Sequence, residues 1–351
     1  MTRLAVIRGN SLNPYEMQNY SPIEGVHFFG TLAKTELKHP NTHLLKSYNN
    51  LACRALGLQY YQPSLSKELR ELDPDFVNTL ELYNYDSFTG VRHAVKNNKR
   101  SVVTCWETLP SHPVFTKTIF RRYFRKYILE NASFFHVPTN KARDCLLELG
   151  CPDDRIVLQH YGIDLSKFKF KKQEHEVFTY LFIGRLEQEK GIKQTIKAFN
   201  KLDNDSQLLI LGNGSLRGFV EESARANKGI KYLGVKPYTE VPGVHAMADV
   251  FVLPSIPHRL WEEQYGMVFL ESMAAGNPVI STSTGAIPEV VSDKEGILVK
   301  PDSVGELVKA MRLLYNDRKR LKRMSRNCRK RAERDYDAGR VAERLVKLFY
   351  S

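Results

Sequence analysis

Short apolar runs separated by amphipathic stretches recur along the whole chain, and this rhythm most constrains its fold. Residues 4–7, 26–31, 76–80 and 101–105 in the first half, and 178–183, 208–211, 248–255 and 296–299 in the second, are nearly continuous in apolar residues. A strand without alternation is buried on both faces, and such strands joined by helices form parallel sheets covered on both sides. Helical periodicity is expected over 65–72, 86–97, 116–132, 141–149, 192–202, 305–315 and 338–350, and over 42–58 with an interruption at Asn49-Asn50. A chain of 351 residues is long enough for two such α/β domains.

Several function classes lose ground at once. The five cysteines form no CxxC pair, so neither a disulfide framework nor a zinc site is indicated. The N-terminal apolar run is too short for a signal peptide, and no stretch approaches a bilayer span, so a cytoplasmic protein is expected. Asp73-Pro74-Asp75 has the DxD form used to hold Mg²⁺ or Mn²⁺. The same pattern recurs at Asp203-Asn204-Asp205, before another apolar run. Both read as polar turns entering a strand, away from the edge where parallel sheets bind ligands. A net charge of +13 implies an acidic partner: anionic lipid, nucleic acid or a phosphorylated substrate.

The chemistry concentrates in residues 261–291, WEEQYGMVFLESMAAGNPVISTSTGAIPEVV. Glu263 and Glu271 flank Gly266, which opens an apolar segment. If Met267 or Val268 begins a helix, Glu271 lies one turn inside it and Glu263 on the loop before. The unpaired N–H groups at such a helix start suit a phosphate, and a carboxylate on either side can accept hydroxyl hydrogen bonds from a sugar nucleotide. The alternative from spacing alone is a pair of solvated surface charges. Upstream, Gly184-Arg185-Leu186-Glu187-Gln188-Glu189-Lys190-Gly191 puts two cations at a strand-to-helix junction, where they can clamp a diphosphate.

These motifs resemble the donor site of the family-4 retaining glycosyltransferases of GT-B fold. The Glu-x7-Glu element is EQYGMVFLE, followed by SMAAGNPVI and TGAIPEVV; GRLEQEKG and GIDLSKF match two further family elements. The resemblance implies two Rossmann-like domains facing each other across a cleft. Residues 1–168 would form the acceptor-binding domain and 169–335 the donor-binding domain, with 169–176 as linker and a C-terminal helix at about 336–351 returning to the first. It implies a hexosyltransferase using a nucleotide sugar, UDP- or GDP-linked, without a metal or other cofactor. Arg185 and Lys190 would bind the diphosphate beside Gly184 and the backbone at Gly266, Met267 and Val268. Glu271 would hold the ribose, Glu263 the sugar near its reacting carbon, and Leu233, Gly234 and Val235 would border the base.

The first domain departs from the family. The loop after its first strand, RGNSLNPYEMQNY, contains only Gly9 where relatives are glycine-rich, leaving Asn10, Asn13 and Glu16 either as candidate contacts or as residues of a plain surface loop. At about the position of a family histidine stands Trp106, with Glu107 and His112 nearby. Each of these is an acceptor-side candidate or a cap or packing residue of its own loop. The acceptor would be a glycan, a lipid-linked sugar or a small molecule. Residues 116–132 interleave Arg121, Arg122, Arg125 and Lys126 with aromatics, as does a helix on an anionic membrane surface or a solvated face over a core. A GT-B epimerase or phosphorylase, and a basic nucleic-acid-binding protein without catalysis, are the competing classes. No recognised nucleic-acid module accompanies the charge.

Overall fold

A computed structural model describes residues 2–9, 12–31, 37–58, 60–168 and 176–350. Asn10 and residues 169–175 of the expected linker lie outside the described residues. The chain divides into two compact units, residues 1–161 with 338–351, and residues 162–337.

The first unit carries a seven-stranded sheet of β1 (Leu4–Ile7), β2 (Val26–Thr31), β3 (Thr42–Leu45), β4 (Phe76–Leu80), β5 (Arg100–Thr104), β6 (Phe134–Val137) and β7 (Ile156–Leu158), in the order β3-β2-β1-β4-β5-β6-β7. The second carries β8 (Phe178–Ile183), β9 (Ser206–Leu211), β10 (Ile230–Tyr232), β11 (Val250–Val252), β12 (Val279–Thr282) and β13 (Gly296–Val299), in the order β10-β9-β8-β11-β12-β13. The pairings are parallel, with β1 lying between β2 and β4, and β8 between β9 and β11. Both sheets therefore wind outward from their first strand in opposite directions, as Rossmann sheets do. Each has a switch point where the loops after its two central strands diverge, and there open α/β sheets bind ligands. The apolar runs supply the cores: Ala5, Ile7 and Val77 are fully buried in one sheet, Leu181, Phe182, Val250 and Ile280 in the other.

The helix expected over 42–58 is a misreading before Asn49-Asn50 and holds after it, where Leu51–Leu56 is helical. Thr42–Leu45 is a strand in register with β2, Phe28 opposite Thr42 and Thr31 opposite Leu45. Edge pairing against a buried strand outweighs the local periodicity. The Asn49-Asn50 pair is a start signal, since the Asn50 side chain accepts the Cys53 N–H at 2.9 Å and caps helix Leu51–Leu56.

The final helix, Ala338–Tyr350, belongs to the first unit. Phe349 meets Phe76 at 6.0 Å between ring centres, and Arg100 donates to the Phe349 carbonyl at 3.4 Å. In the second unit, Ile163 donates to the Tyr336 carbonyl at 2.8 Å, tying together the two segments next to the unit boundary. The basic run at 318–334 forms helix Arg318–Asp335, whose inward face buries Leu321, Met324, Cys328 and Ala332. Asp75 accepts the Arg3 N–H at 2.9 Å and a Lys99 contact at 3.4 Å, so this DxD carboxylate ties the amino end of β4 to its neighbours.

Candidate functional site

The loops after β8 and β11 meet at the switch point of the second sheet. The Ile256 N–H donates to the Glu189 carbonyl at 2.8 Å, fixing one loop on the other. Lys190 Nζ then lies 2.6 Å from Glu263 Oε2, and both side chains are largely buried, 13% and 8% exposed. Ser255 Oγ donates to the same carboxylate oxygen at 2.9 Å, and the Lys190 ammonium lies 4.8 Å from the centre of the Trp261 ring. Burying a pair like this is costly in desolvation, and the shared oxygen and the aromatic face offset part of that cost. Arg185 is more exposed and pairs with Glu189 Oε1 at 2.9 Å.

Helix Met267–Ala274 begins where expected. Gly266 precedes it with φ +73°, and a Cβ there would lie 2.5 Å from the Phe269 ring, so glycine is required. The same hypothetical Cβ is 3.6 Å from Glu263 Cγ, which brings the helix start beside the ion pair. Helix geometry leaves the N–H groups of Met267 and Val268 without intrahelical acceptors.

Glu271, one turn in, is 2% exposed. Its Oε2 is 3.5 Å from His245 Nε2, while Oε1 has no hydrogen-bond partner among the described residues. Glu263 is 6% exposed, so the solvated-surface alternative fails for both glutamates. Leu233, Gly234 and Val235 follow β10; the Gly234 carbonyl accepts the Gly212 N–H at 2.8 Å, and Val235 is exposed. Sequence reasoning missed Ser255, Trp261 and His245. Ser255 ends an expected strand, but nothing in the pattern aims it at Glu263.

The first unit has a different site. Arg8, at the end of β1, is fully buried, with Nε 2.9 Å from Glu16 Oε1 and Nη1 donating to the Ile7 carbonyl at 2.8 Å. Burial pushes the guanidinium pKa down, but Glu16, Tyr20 and Tyr161 outweigh it and the net shift is upward. Tyr161 donates to Glu16 at 3.2 Å and shares a 2.7 Å hydrogen bond with Tyr20. Trp106 stacks on Tyr161 at 4.8 Å between ring centres. His136 is buried behind them and bonds the Gln159 carbonyl at 2.7 Å; the carbonyl can only accept, so Nε2 carries the proton. Burial holds its pKa down at about 4.

Of the acceptor-side candidates, Glu16 and Trp106 join this network. Glu107 Oε1 accepts the Thr108 and Leu109 N–H groups at 3.0 and 3.1 Å, and His112 Nδ1 accepts the Val114 N–H at 3.1 Å. Both cap their own loop. Asn13 likewise caps the short helix Pro14–Met17. Arg8, Tyr20, Tyr161 and His136 were not found from the sequence.

Two family models match, one described as glycosyl transferases group 1 over residues 164–331 and one as glycosyltransferase family 4 over residues 26–167. Among curated relatives, a glycogen synthase of Mycobacterium tuberculosis is 29% identical, the match covering 55% of this chain and 48% of the relative. A GDP-mannose-dependent monoacylated alpha-(1-6)-phosphatidylinositol monomannoside mannosyltransferase of Corynebacterium glutamicum is 31% identical over 54% of this chain and 55% of its own length. The chain thus matches about half the length of these relatives. Among solved structures, Anabaena HepE in complex with UDP has a TM-score of 0.81 at 16% identity, covering 100% of both chains.

Proposed function

We propose, on the premise that this chain belongs to the family-4 glycosyltransferases, that it moves a hexose from a nucleotide-diphosphate sugar to a hydroxyl of a glycan, lipid-linked or small-molecule acceptor, with retention of configuration. The second unit would bind the donor and the first the acceptor. The observation that carries this reading is the buried Lys190–Glu263 pair, 2.6 Å apart, beside the start of helix Met267–Ala274.

An ammonium has three N–H donors. Lys190 commits one to Glu263, leaving two for phosphate oxygens, with Arg185 and the Met267 and Val268 amides completing the diphosphate site. Glu271 takes the ribose hydroxyls, whose donors satisfy its orphaned Oε1. Gly184, Leu233, Gly234 and Val235 border the donor. The UDP held by HepE favours uridine, and the GDP-mannose dependence of the mannosyltransferase keeps guanosine as the second candidate.

The acceptor oxygen attacks the anomeric carbon on the face from which the diphosphate departs. The new glycosidic bond forms as the carbon–oxygen bond to phosphate breaks, and the acceptor proton passes to the departing phosphate oxygen. Arg185, Lys190 and the helix N-terminus supply the charge stabilisation, so the reading requires no metal. A screen of UDP-, GDP- and ADP-sugars for hydrolysis and for protection against thermal unfolding tests it. One preferred nucleotide is expected, and a ligand at a hundred times its Kd should add about 2.7 kcal/mol of stability. Salt-sensitive binding of polyanions with no nucleotide preference would overturn the reading in favour of a nucleic-acid-binding protein.

Attachment to an anionic membrane at the cytoplasmic face is part of the proposal. Ile119, Phe120 and Tyr123 are exposed at 79, 39 and 54% on helix Ile119–Asn131, next to exposed Arg122 and Lys126. Exposed Leu51 and Leu56 extend the patch, since Thr118 donates to the Leu56 carbonyl at 3.3 Å. Apolar side chains flanked by cations suit a headgroup boundary. Among the described residues no helix is long and apolar enough to cross a membrane. Co-sedimentation with anionic but not neutral vesicles is expected, and equal partitioning would contradict it.

A further inference from the structure

In the first unit, helices Leu65–Leu72 and Tyr85–Lys96 border a pocket of about 410 Å³, within the range of about 300–1,000 Å³ usual for small-molecule sites. Along the second helix its lining falls at Tyr85, Phe88, Thr89, Arg92, His93 and Lys96, positions that share one face. The first helix adds Ser66 and Arg70, one turn apart. The lining thus carries three cations and no carboxylate. Arg70, Arg92 and Lys96 are exposed and have no carboxylate partner among the described residues. Cations nearby are paired: Lys67 with Glu71 at 3.5 Å and Lys99 with Asp75 at 3.4 Å.

His93 is the buried titratable group of the lining, 8% exposed. Asn97 Nδ2 donates to the His93 carbonyl at 2.8 Å and lies 3.5 Å from His93 Nδ1. An amide NH2 can only donate, so Nδ1 is the acceptor and the ring proton sits on Nε2. That atom has no hydrogen-bond partner among the described residues. Cations in a last helical turn suit the helix dipole on their own. The dipole gives no reason for a buried N–H without an acceptor, which an anion in the pocket would supply. The Arg92 guanidinium lies over the Phe88 ring, 5.9 Å from its centre, and an arginine on an aromatic face keeps its in-plane N–H groups for an oxyanion.

We propose that this pocket binds a phosphate group, carried by a soluble phosphate monoester or by an anionic lipid headgroup. Arg70, Arg92 and Lys96 neutralise its charge, and His93 Nε2 donates to one of its oxygens. The site shares no residue with the Arg185 and Lys190 diphosphate site, so it does not rest on the glycosyltransferase reading. A headgroup is one source because Phe88 meets Tyr123 and Tyr127 of helix Ile119–Asn131 at 5.5 and 5.0 Å between ring centres, and Tyr123 is exposed. Burial holds the His93 pKa below its usual value; Asp73 opposes that shift, and Arg70 and Lys99 add to it. The ring is therefore mainly neutral at pH 7, and a bound anion raises its pKa.

The test has two arms, both with the full chain. Glycerol 3-phosphate and glucose 6-phosphate are titrated by calorimetry, and neutral phosphatidylcholine vesicles with and without phosphatidic acid are compared by co-sedimentation. Binding in at least one arm is expected, weakened by about tenfold or more in Arg70→Ala/Arg92→Ala/Lys96→Ala. Lys190→Ala should leave it unchanged. Lys319→Ala/Lys322→Ala/Arg326→Ala removes the same charge from exposed positions of the second unit and should also leave it unchanged. Proton NMR should show the His93 ring, identified by its loss in His93→Phe, shifting and titrating at higher pH with the probe bound. Binding of the soluble probes assigns the monoester, and binding to the phosphatidic acid vesicles alone assigns the headgroup; either supports the site. No binding in either arm, or equal loss in the two triple variants, would overturn the proposal. Binding abolished by Lys190→Ala would also overturn it, by placing the probe in the second unit.

Discussion

The two sheets wind outward from their central strands in the same way, yet the loops at their switch points are built from different materials. In the second unit the loops carry a cation paired with a carboxylate, Lys190 with Glu263, next to a helix start opened by Gly266. In the first, the same topological position holds a fully buried arginine tied to Glu16 and a file of aromatic rings, Tyr20, Tyr161 and Trp106. On the proposed reading Lys190 keeps N–H groups for a phosphate, whereas Arg8 spends its donors on Glu16 and its own backbone. One topology thus holds a paired lysine beside a helix start in one unit and a fully buried arginine tied into a polar core in the other.

The sharpest way to break this comparison is to remove the two cations separately. Lys190→Ala should lower turnover by about 10²–10³-fold, the scale of one preorganised transition-state donor. It should also destabilise the second unit, because Glu263 is left buried without its partner, a loss of about 3–5 kcal/mol. The double variant Lys190→Ala/Glu263→Ala should regain part of that stability and none of the turnover, which denaturant melts and a nucleotide-sugar assay can separate. Arg8→Ala should cost a similar ~3–5 kcal/mol in urea melts, since Glu16 is left buried without the arginine it pairs with, yet leave the UDP or GDP dissociation constant unchanged. A large loss of nucleotide affinity in Arg8→Ala would mean that the first unit's core is part of the donor site.

The pH dependence sharpens the contrast further. Glu81 is raised from 4.5 to about 8 in the folded protein by burial, so between those values the folded state binds more protons than the unfolded state. Its contribution to stability therefore falls as pH rises through that window, and Glu81→Gln should flatten the fall. His136 behaves in the opposite sense: burial lowers it from 6.5 to about 4, and its contribution is lost as pH drops between them. Urea midpoints from pH 4 to 9 for wild type, Glu81→Gln and His136→Asn check both signs. The smallest effects belong to the loop caps. Glu107→Ala and His112→Ala should each cost about 0.5–2 kcal/mol and leave turnover nearly unchanged, because each side chain caps its own loop. Loss of turnover with unchanged stability would return them to the acceptor site.

Legibility in the sequence follows the same division. Strands such as Phe76–Leu80 and Phe178–Ile183 can be read directly, because burial on both faces demands uninterrupted apolar residues. Thr42–Leu45 cannot, since an edge strand with only Leu45 buried carries little of that pattern and a capped helix follows it closely. The second unit's site was legible because each group sits in a short motif whose spacing fixes its place, Lys190 within GRLEQEKG and Glu263 within EQYGMVFLE. Arg8 and Glu81 were not. Their meaning depends on partners brought by the fold, as with Tyr161 reaching Glu16 across 145 residues, and a left-handed glutamate leaves no trace in composition.

The most direct measurement is calorimetric titration of UDP and GDP into the wild-type chain and into Lys190→Ala at constant ionic strength. The account predicts micromolar-range binding of one nucleotide, about −8 kcal/mol, weakened by about tenfold or more in Lys190→Ala. Unchanged affinity in a folded Lys190→Ala variant, or no binding of either nucleotide to the wild type, would contradict it.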